Sequence, residues 1–183
     1  MSDRFLFEPT NIDGVFKIYP NPLSDSRGAL TRIFCFTEFA NIDNFSVRQI
    51  NIVSNLEKGI VRGLHFQKWP GAEGKIIFCL TGEVYDFCLD LRKDSKTYGL
   101  HEDFYLNSEV GLFLPPGIAH GYQTQTDKAE MLYLHSSEYI ADYDDGINWQ
   151  NSIVEVKWPL AITNVSEKDT LLPKENSYEM SKL

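Results

Sequence analysis

Short apolar runs recur along this chain at nearly regular intervals. They occupy residues 15–19, 30–36, 75–80, 84–92, 111–114 and 130–134, and Gly, Pro, Asn or Asp fills the gaps. Runs of this length, punctuated in this way, predict the strands of an all-β sandwich or barrel. Apolar spacing of the helical kind is scarce. Residues 37–45 predict one short helical stretch near the N-terminus, and the segment after Val165 predicts another near the C-terminus. There is no internal repeat and no low-complexity block. The residues after Pro173 are polar, and 174–183 are expected to form a loose tail.

The clearest local pattern spans residues 75–92. Thr81-Gly82 reads as the turn of a hairpin, with Gly supplying a positive φ. Pairing Leu80 with Glu83 would set Ile77 opposite Asp86 and Lys75 opposite Cys88. By the two-residue period, Lys75, Asp86, Asp90 and Arg92 then share one face. Ile76, Phe78, Tyr85, Phe87, Leu89 and Leu91 occupy the other, which reads as core. The first face mixes charges with small apolar residues. A barrel interior that holds a polar ligand has this pattern, and so does a solvent face.

Composition narrows the class. At 183 residues, 43% of them hydrophobic, the chain is long enough for one globular domain with a sizeable core. Seventeen Lys and Arg stand against 26 Asp and Glu, a net charge of −9. That balance argues against nucleic acid and anionic membrane as main partners, but a few local arginines still suffice for a phosphorylated small ligand. No apolar signal region or membrane-length run is present. Cys35, Cys79 and Cys88 lie in apolar runs without CxxC spacing, which predicts free buried thiols and a cytoplasmic protein.

Two segments carry candidate chemistry: Val61-Arg62-Gly63-Leu64-His65-Phe66-Gln67 and Pro115-Pro116-Gly117-Ile118-Ala119-His120-Gly121-Tyr122. Each places a histidine in a β-like run beside glycine. Histidine titrates near neutrality and so serves as a general base, and Arg62 offers a fixed cation. Plainer readings stand beside these. A histidine among apolar residues is often a satisfied core residue, Tyr133 in an apolar run packs by default, and Lys75 at a strand start protects an edge. Asp169 serves equally as a helix cap. His101 and His135 have no motif around them and read as non-catalytic.

An ordered set of motifs extends from about residue 15 to 173. It comprises Asp25-Ser26-Arg27-Gly28, Arg62-Gly63-Leu64-His65-Phe66-Gln67, Gly74-Lys75, Gly82-Glu83-Val84-Tyr85-Asp86, Asp90-Leu91-Arg92, Ser95-Lys96-Thr97-Tyr98-Gly99, Pro116-Gly117-Ile118-Ala119-His120-Gly121, Tyr133, Gly146-Ile147-Asn148-Trp149, Trp158-Pro159 and Ser166-Glu167-Lys168-Asp169. In this set the chain resembles the dTDP-4-dehydrorhamnose 3,5-epimerases, the RmlC-like branch of the cupin jelly rolls. The resemblance implies a single jelly-roll domain, a homodimer, and epimerisation of a nucleotide-diphosphate 4-keto sugar in deoxysugar or heptose biosynthesis for surface polysaccharide. It implies no metal and no cofactor. It makes His65 the base, Asp169 its partner, Tyr133 the acid and Lys75 the cation beside the ketone. Arg62, Asp86 and His120 become pocket residues, Tyr139 a ring near the ligand, and Arg27 a nucleotide contact lent by the neighbouring subunit.

The chain also departs from that family. Arg32 stands where dTDP-specific relatives usually carry glutamate. A donor-only side chain there suits the acceptor edges of guanine or cytosine, so GDP or CDP is weighed against dTDP. The stretch Asn51-Ile52-Val53-Ser54-Asn55 lacks the usual His-Ser; Gln49 and Asn51 within this region are read as substrate-binding. Leu134 replaces a lysine, and the following aromatic pair is reduced to Glu138-Tyr139. Inversion at a single carbon is a further option. Two rivals remain: a metal-dependent cupin using His65, His120 and a carboxylate, and a sugar-binding jelly roll without turnover.

Overall fold

The computed structural model describes residues 4–40, 42–43 and 45–174. The chain folds into two packed antiparallel sheets and a small separate hairpin, as the turn-punctuated strand pattern predicts. The first sheet has the order β1 (Phe5–Pro9), β2 (Phe16–Pro20), β10 (Gly111–Leu114), β7 (Lys75–Thr81), β12 (Ala129–His135) and β5 (Gln49–Asn55). The second runs β13 (Asp144–Gly146), β6 (Ile60–Gln67), β11 (Ile118–Thr124), β8 (Val84–Asp90) and β9 (His101–Leu106), with β14 (Asn164–Val165) added parallel to β6. The hairpin pairs β3 (Leu23–Asp25) with β4 (Gly28–Leu30). Two short helices form: α1 (Phe36–Phe39) overlaps the start of the predicted 37–45 stretch, and α2 (Glu167–Thr170) lies in the segment after Val165.

The core has three layers. Ile77, Cys79, Val84, Cys88, Leu112 and Met131 fill the space between the sheets. Phe39 of α1 joins Phe5, Ile18, Phe78 and Phe113 over the outer face of the first sheet. Leu64, Phe66, Phe87 and Leu89 pack with Ile147 and Val156 over the outer face of the second. Both faces of the central strands are therefore buried, which is why they read as almost continuous apolar runs.

Several expectations are corrected. The 75–92 segment is not a hairpin: β7 pairs with β10 and β12, whereas β8 pairs with β11 and β9. The chain crosses between sheets at Gly82, whose φ is +79°, and a Cβ there would fall 2.2 Å from the Lys128 carbonyl oxygen. Each strand buries two faces and two edges, and two flanking strands from elsewhere in the chain satisfy it better than one local turn partner. The face assignment survives, because alternation within a strand does not depend on its partner: Lys75 and Asp86 both point between the sheets. Residues 31–35 are not strand, since β4 ends at Leu30 and α1 follows. Phe5 of β1 is part of the buried core. Lys174 is tied down through its carbonyl, which accepts from the Ser152 N–H at 2.7 Å. The rest of the expected loose tail, 175–183, lies outside the described residues. Cys79 and Cys88 are buried thiols, and Cys35 is half-buried. Among the described residues no helix is long and apolar enough to cross a membrane.

Candidate active site

Strand β6 passes between β11 and β13, and its register against β11 shifts between Arg62, opposite Tyr122, and His65, opposite His120, so that side chains three residues apart both enter the interior. Arg62 and His65 reach a cavity of about 210 Å³ between the sheets. Its wall also includes Asn51 and Val53 of β5, Lys75 of β7, His120, Gly121 and Tyr122 of β11, and Tyr133 of β12. His65 and His120 are cross-strand partners, and the register shifts between His120 and Tyr122.

His65 is held by Asp169. The Ser166 hydroxyl caps α2 by accepting from the Asp169 N–H at 3.1 Å, which turns the Asp169 carboxylate toward β6. Its Oδ1 lies 2.8 Å from His65 Nε2, and its Oδ2 accepts from the Gly63 N–H at 3.1 Å. Burial acts to raise the Asp169 pKa, but hydrogen bonds from and the charge of His65, with the Gly63 amide, outweigh it and hold the carboxyl below its usual range. An ionised Asp169 accepts the Nε2 proton. That leaves Nδ1 as the ring nitrogen able to take up another proton. His65 keeps one third of its side chain exposed, so the imidazole is open to the cavity while Asp169 is buried behind it.

A second pair joins His120 Nδ1 to Asp86 Oδ2 at 3.3 Å, with Cys88 Sγ donating to Asp86 Oδ1 at 3.4 Å. Burial lowers the His120 pKa, and Asp86 opposes that shift only in part. The Tyr133 phenol comes from the other sheet, its ring 6.1 Å from that of His120. Burial first, then Tyr122 and Asp86, push its pKa well above the usual value, so it is a protonated donor at neutral pH. The Tyr122 hydroxyl and Arg62 Nε both donate to Asn55 Oδ1, at 3.3 and 3.0 Å.

His65, Tyr133, Asp169 and Lys75 thus converge, together with Arg62, Asp86, His120 and Asn51. Four predicted ligand contacts do not meet them within one chain. Gln49 donates to Asn51 Oδ1 and accepts from the Tyr139 N–H, so it stands one step behind the wall. The exposed Tyr139 ring gives its hydroxyl to Asp144. Arg27 pairs with Asp25 on the exposed β3–β4 hairpin. Arg32 pairs with Glu38 at 2.7 Å, and nothing in these contacts connects it to a nucleotide base. The guanine or cytosine preference expected from Arg32 therefore has no support here. Among the described residues no three His, Cys, Asp or Glu side chains converge as the ligand set that the metal reading needs.

Sequence reasoning missed Glu73, His135, Tyr122 and Asn55. His135, which has no motif around it, lies buried behind Tyr133 with its ring stacked at 5.9 Å. Its signal was parity: His135 follows Tyr133 by two residues, as Tyr122 follows His120, and so shares the inward face. Glu73 lies in the loop before β7 and Asn55 at a strand end, and neither position marks a contact.

Comparison with known proteins accords with this geometry. The family described as dTDP-4-dehydrorhamnose 3,5-epimerase matches residues 9–176. A dTDP-4-dehydrorhamnose 3,5-epimerase of Sinorhizobium fredii is 34% identical over 175 residues, covering 93% of this chain and 90% of the relative. The crystal structure of the Bacillus anthracis dTDP-4-dehydrorhamnose 3,5-epimerase with TDP and PPi bound superposes with a TM-score of 0.88 at 32% identity, covering 92% of this chain and 98% of that one. A 3'-monoepimerase from Streptomyces bikiniensis, in complex with dTDP-quinovose, gives a TM-score of 0.83 at 26% identity, covering 91% and 86%.

Proposed function

The chain belongs to the dTDP-4-dehydrorhamnose 3,5-epimerase family, a carbohydrate epimerase family of cupin-like fold, and from that premise we propose that it inverts C3 and C5 of a thymidine-diphosphate 4-keto-6-deoxyhexose. A C–H beside a ketone loses its proton only because the resulting anion spreads onto oxygen. Inversion therefore needs a base on one face, an acid on the other and a cation at the enolate oxygen. His65 takes the proton, and buried Asp169 stabilises the imidazolium. The Lys75 ammonium meets the developing charge on the ketone oxygen. Tyr133, from the opposite sheet, returns a proton to the other face. Arg62 faces the diphosphate.

The observation that carries this reading is that one cavity is lined by His65, with Asp169 behind it, and by Lys75 and Tyr133. Thymidine is favoured as the base because the related structures above hold TDP and dTDP-quinovose, while Arg32 is engaged with Glu38. Arg27 reaches no site in its own chain. Its hairpin also exposes Leu23 and Leu30, which suits docking against a second copy. A homodimer in which Arg27 completes the partner's nucleotide site is part of the proposal.

The test is incubation with dTDP-4-keto-6-deoxyglucose in deuterated water, with GDP- and CDP-linked 4-keto sugars alongside. Deuterium entering C3 and C5 of the dTDP sugar, with inversion, is the expected result. Exchange at C3 alone would make the protein a monoepimerase. Binding without exchange, or exchange only in the GDP or CDP sugar, would overturn the assignment.

A further inference from the structure

Among the described residues three carboxylate–histidine pairs lie at or behind the cavity wall: Asp169–His65, Asp86–His120 and Glu73–His135. The third pair is the one bonded to Lys75. Lys75 and His135 are direct cross-strand partners of β7 and β12, so their side chains stand next to each other on the inner face. Glu73, from the loop before β7, places its carboxylate against both. Its Oε1 is 3.5 Å from Lys75 Nζ, and its Oε2 is 2.9 Å from His135 Nδ1. All three side chains are almost wholly buried, with 9, 7 and 11% exposure for Lys75, Glu73 and His135.

The imidazole carries the contact onward. Its ring stacks on Tyr133 with an interplanar angle of 21°, and its Nε2 lies 3.3 Å from Asn51 Nδ2. The two segments are also bonded through Ser136. Its hydroxyl accepts from the Gly74 N–H at 2.8 Å, and its N–H donates to the Gly74 carbonyl at 3.0 Å. Glu73, Lys75, His135 and Tyr133 thus form one connected unit.

A buried ammonium without a counter-charge is costly. Glu73 supplies that charge. Burial works to raise its pKa, but the His135 hydrogen bond and the Lys75 charge more than offset this and hold it below the usual carboxylate range. We propose that Glu73 is a positioning residue for the epimerisation, holding the Lys75 ammonium charged at the ketone and, through His135, fixing the ring of Tyr133. The inference rests on the roles given above to Lys75 and Tyr133.

Other groups facing Lys75 set the background. His135 and Tyr133 come from β12, and Asp86 and Cys88 from β8. The remaining wall presents His65 and Arg62 of β6 with His120 and Tyr122 of β11. Asp86 already pairs with His120, so Glu73 is the carboxylate bonded to Lys75 itself. Removing it leaves the buried ammonium without its bonded carboxylate.

The experiment measures kcat and KM for dTDP-4-keto-6-deoxyglucose from neutral to alkaline pH. It compares the unmodified protein with Glu73→Gln, Glu73→Asp, His135→Phe and Lys75→Met, each checked by thermal unfolding. Glu73→Gln should lower kcat roughly tenfold, leave KM within about threefold, and move the alkaline limb down by about one pH unit. Glu73→Asp keeps the charge but withdraws it, and should give an intermediate limb; if Glu73→Gln does not fold, Glu73→Asp decides alone. His135→Phe keeps the stacked ring and the Lys75–Glu73 pair, and should leave the limb in place. An unmoved limb in the Glu73 variants, with Lys75→Met inactive, overturns this proposal alone. Wild-type turnover by Lys75→Met overturns the assigned role of Lys75 and the proposal with it.

Discussion

Gly63 and Gly121 meet backbone to backbone beside the cavity. A Cβ on Gly63 would lie 2.6 Å from the Gly121 Cα and 2.7 Å from the His120 carbonyl oxygen. Gly63 also has a φ of +108°, a conformation that side-chain-bearing residues rarely adopt. The contact draws β6 and β11 together next to the cross-strand pair His65 and His120. It also leaves the Gly63 N–H aimed at Asp169.

Gly63→Ala should therefore damage stability and site together. The added methyl meets backbone that cannot move aside without separating the strands. The expected loss is about 2 kcal/mol or more, several degrees in Tm, with a larger fall in turnover than Tm alone explains. Thermal unfolding and turnover of the purified variant provide the check. A Tm equal to that of the unmodified protein would show that the strands have room to spare.

His65→Asn should reduce solvent-deuterium exchange at every exchanged carbon by about a hundredfold or more, because one base serves the abstraction. Asp169→Asn should lose much of the same activity, since the amide no longer stabilises an imidazolium. The two act as a unit, so the double variant should be little worse than His65→Asn. Losses that multiply would mean that Asp169 works through a different group.

Tyr133→Phe should separate exchange from inversion. Without the phenol, the enolate is reprotonated from the face on which it formed. The product to look for by NMR is deuterated sugar with unchanged configuration. Normal inversion by this variant would assign the acid to another group or to water.

Asp90 makes a separate prediction for stability. It accepts from Arg92 Nε and Nη2 at 2.9 and 2.7 Å, and from the Ser95 and Thr97 hydroxyls at 2.7 Å each. Burial acts to raise its pKa, but these donors outweigh it and keep the pKa below the usual value. A lowered folded-state pKa stabilises the fold fully above the unfolded value near pH 4. That contribution is lost as pH falls through the lower folded value. Asp90→Asn should cost about 3 kcal/mol at neutral pH, because Arg92 loses its buried partner. The difference from the unmodified protein should shrink in acid. Denaturant melts at neutral and low pH decide it: a difference that stays constant with pH would locate the effect in packing.

Much of this site was legible because side-chain direction in a strand is a local property. The mixed inward face with Lys75 and Asp86 was readable even though the hairpin inferred with it was wrong. His65, His120 and Tyr133 were marked by motifs. Asp90, Arg92, Ser95 and Thr97 appeared as neighbouring motifs, and the fold explains them as one buried network. The missed residues have partners distant in sequence. His135 reads as an isolated polar residue until β7 is laid beside β12, and Glu73 as a loop acid until it is seen against His135 and Lys75.

The sequence by itself determined the all-β class, the inward and outward faces of the central strands, and the identity of the principal chemical groups. These follow from the two-residue period and from motifs of a few residues, both of which act over short stretches of chain. Tertiary structure alone decided which strands pair, that β7 and β8 belong to opposite sheets, that Arg32 is engaged by Glu38, and that Glu73 and His135 stand behind Lys75 and Tyr133. Strand partners are selected by which arrangement buries both faces and satisfies both edges of every strand at once. That condition involves the whole chain, and no short segment of sequence contains it.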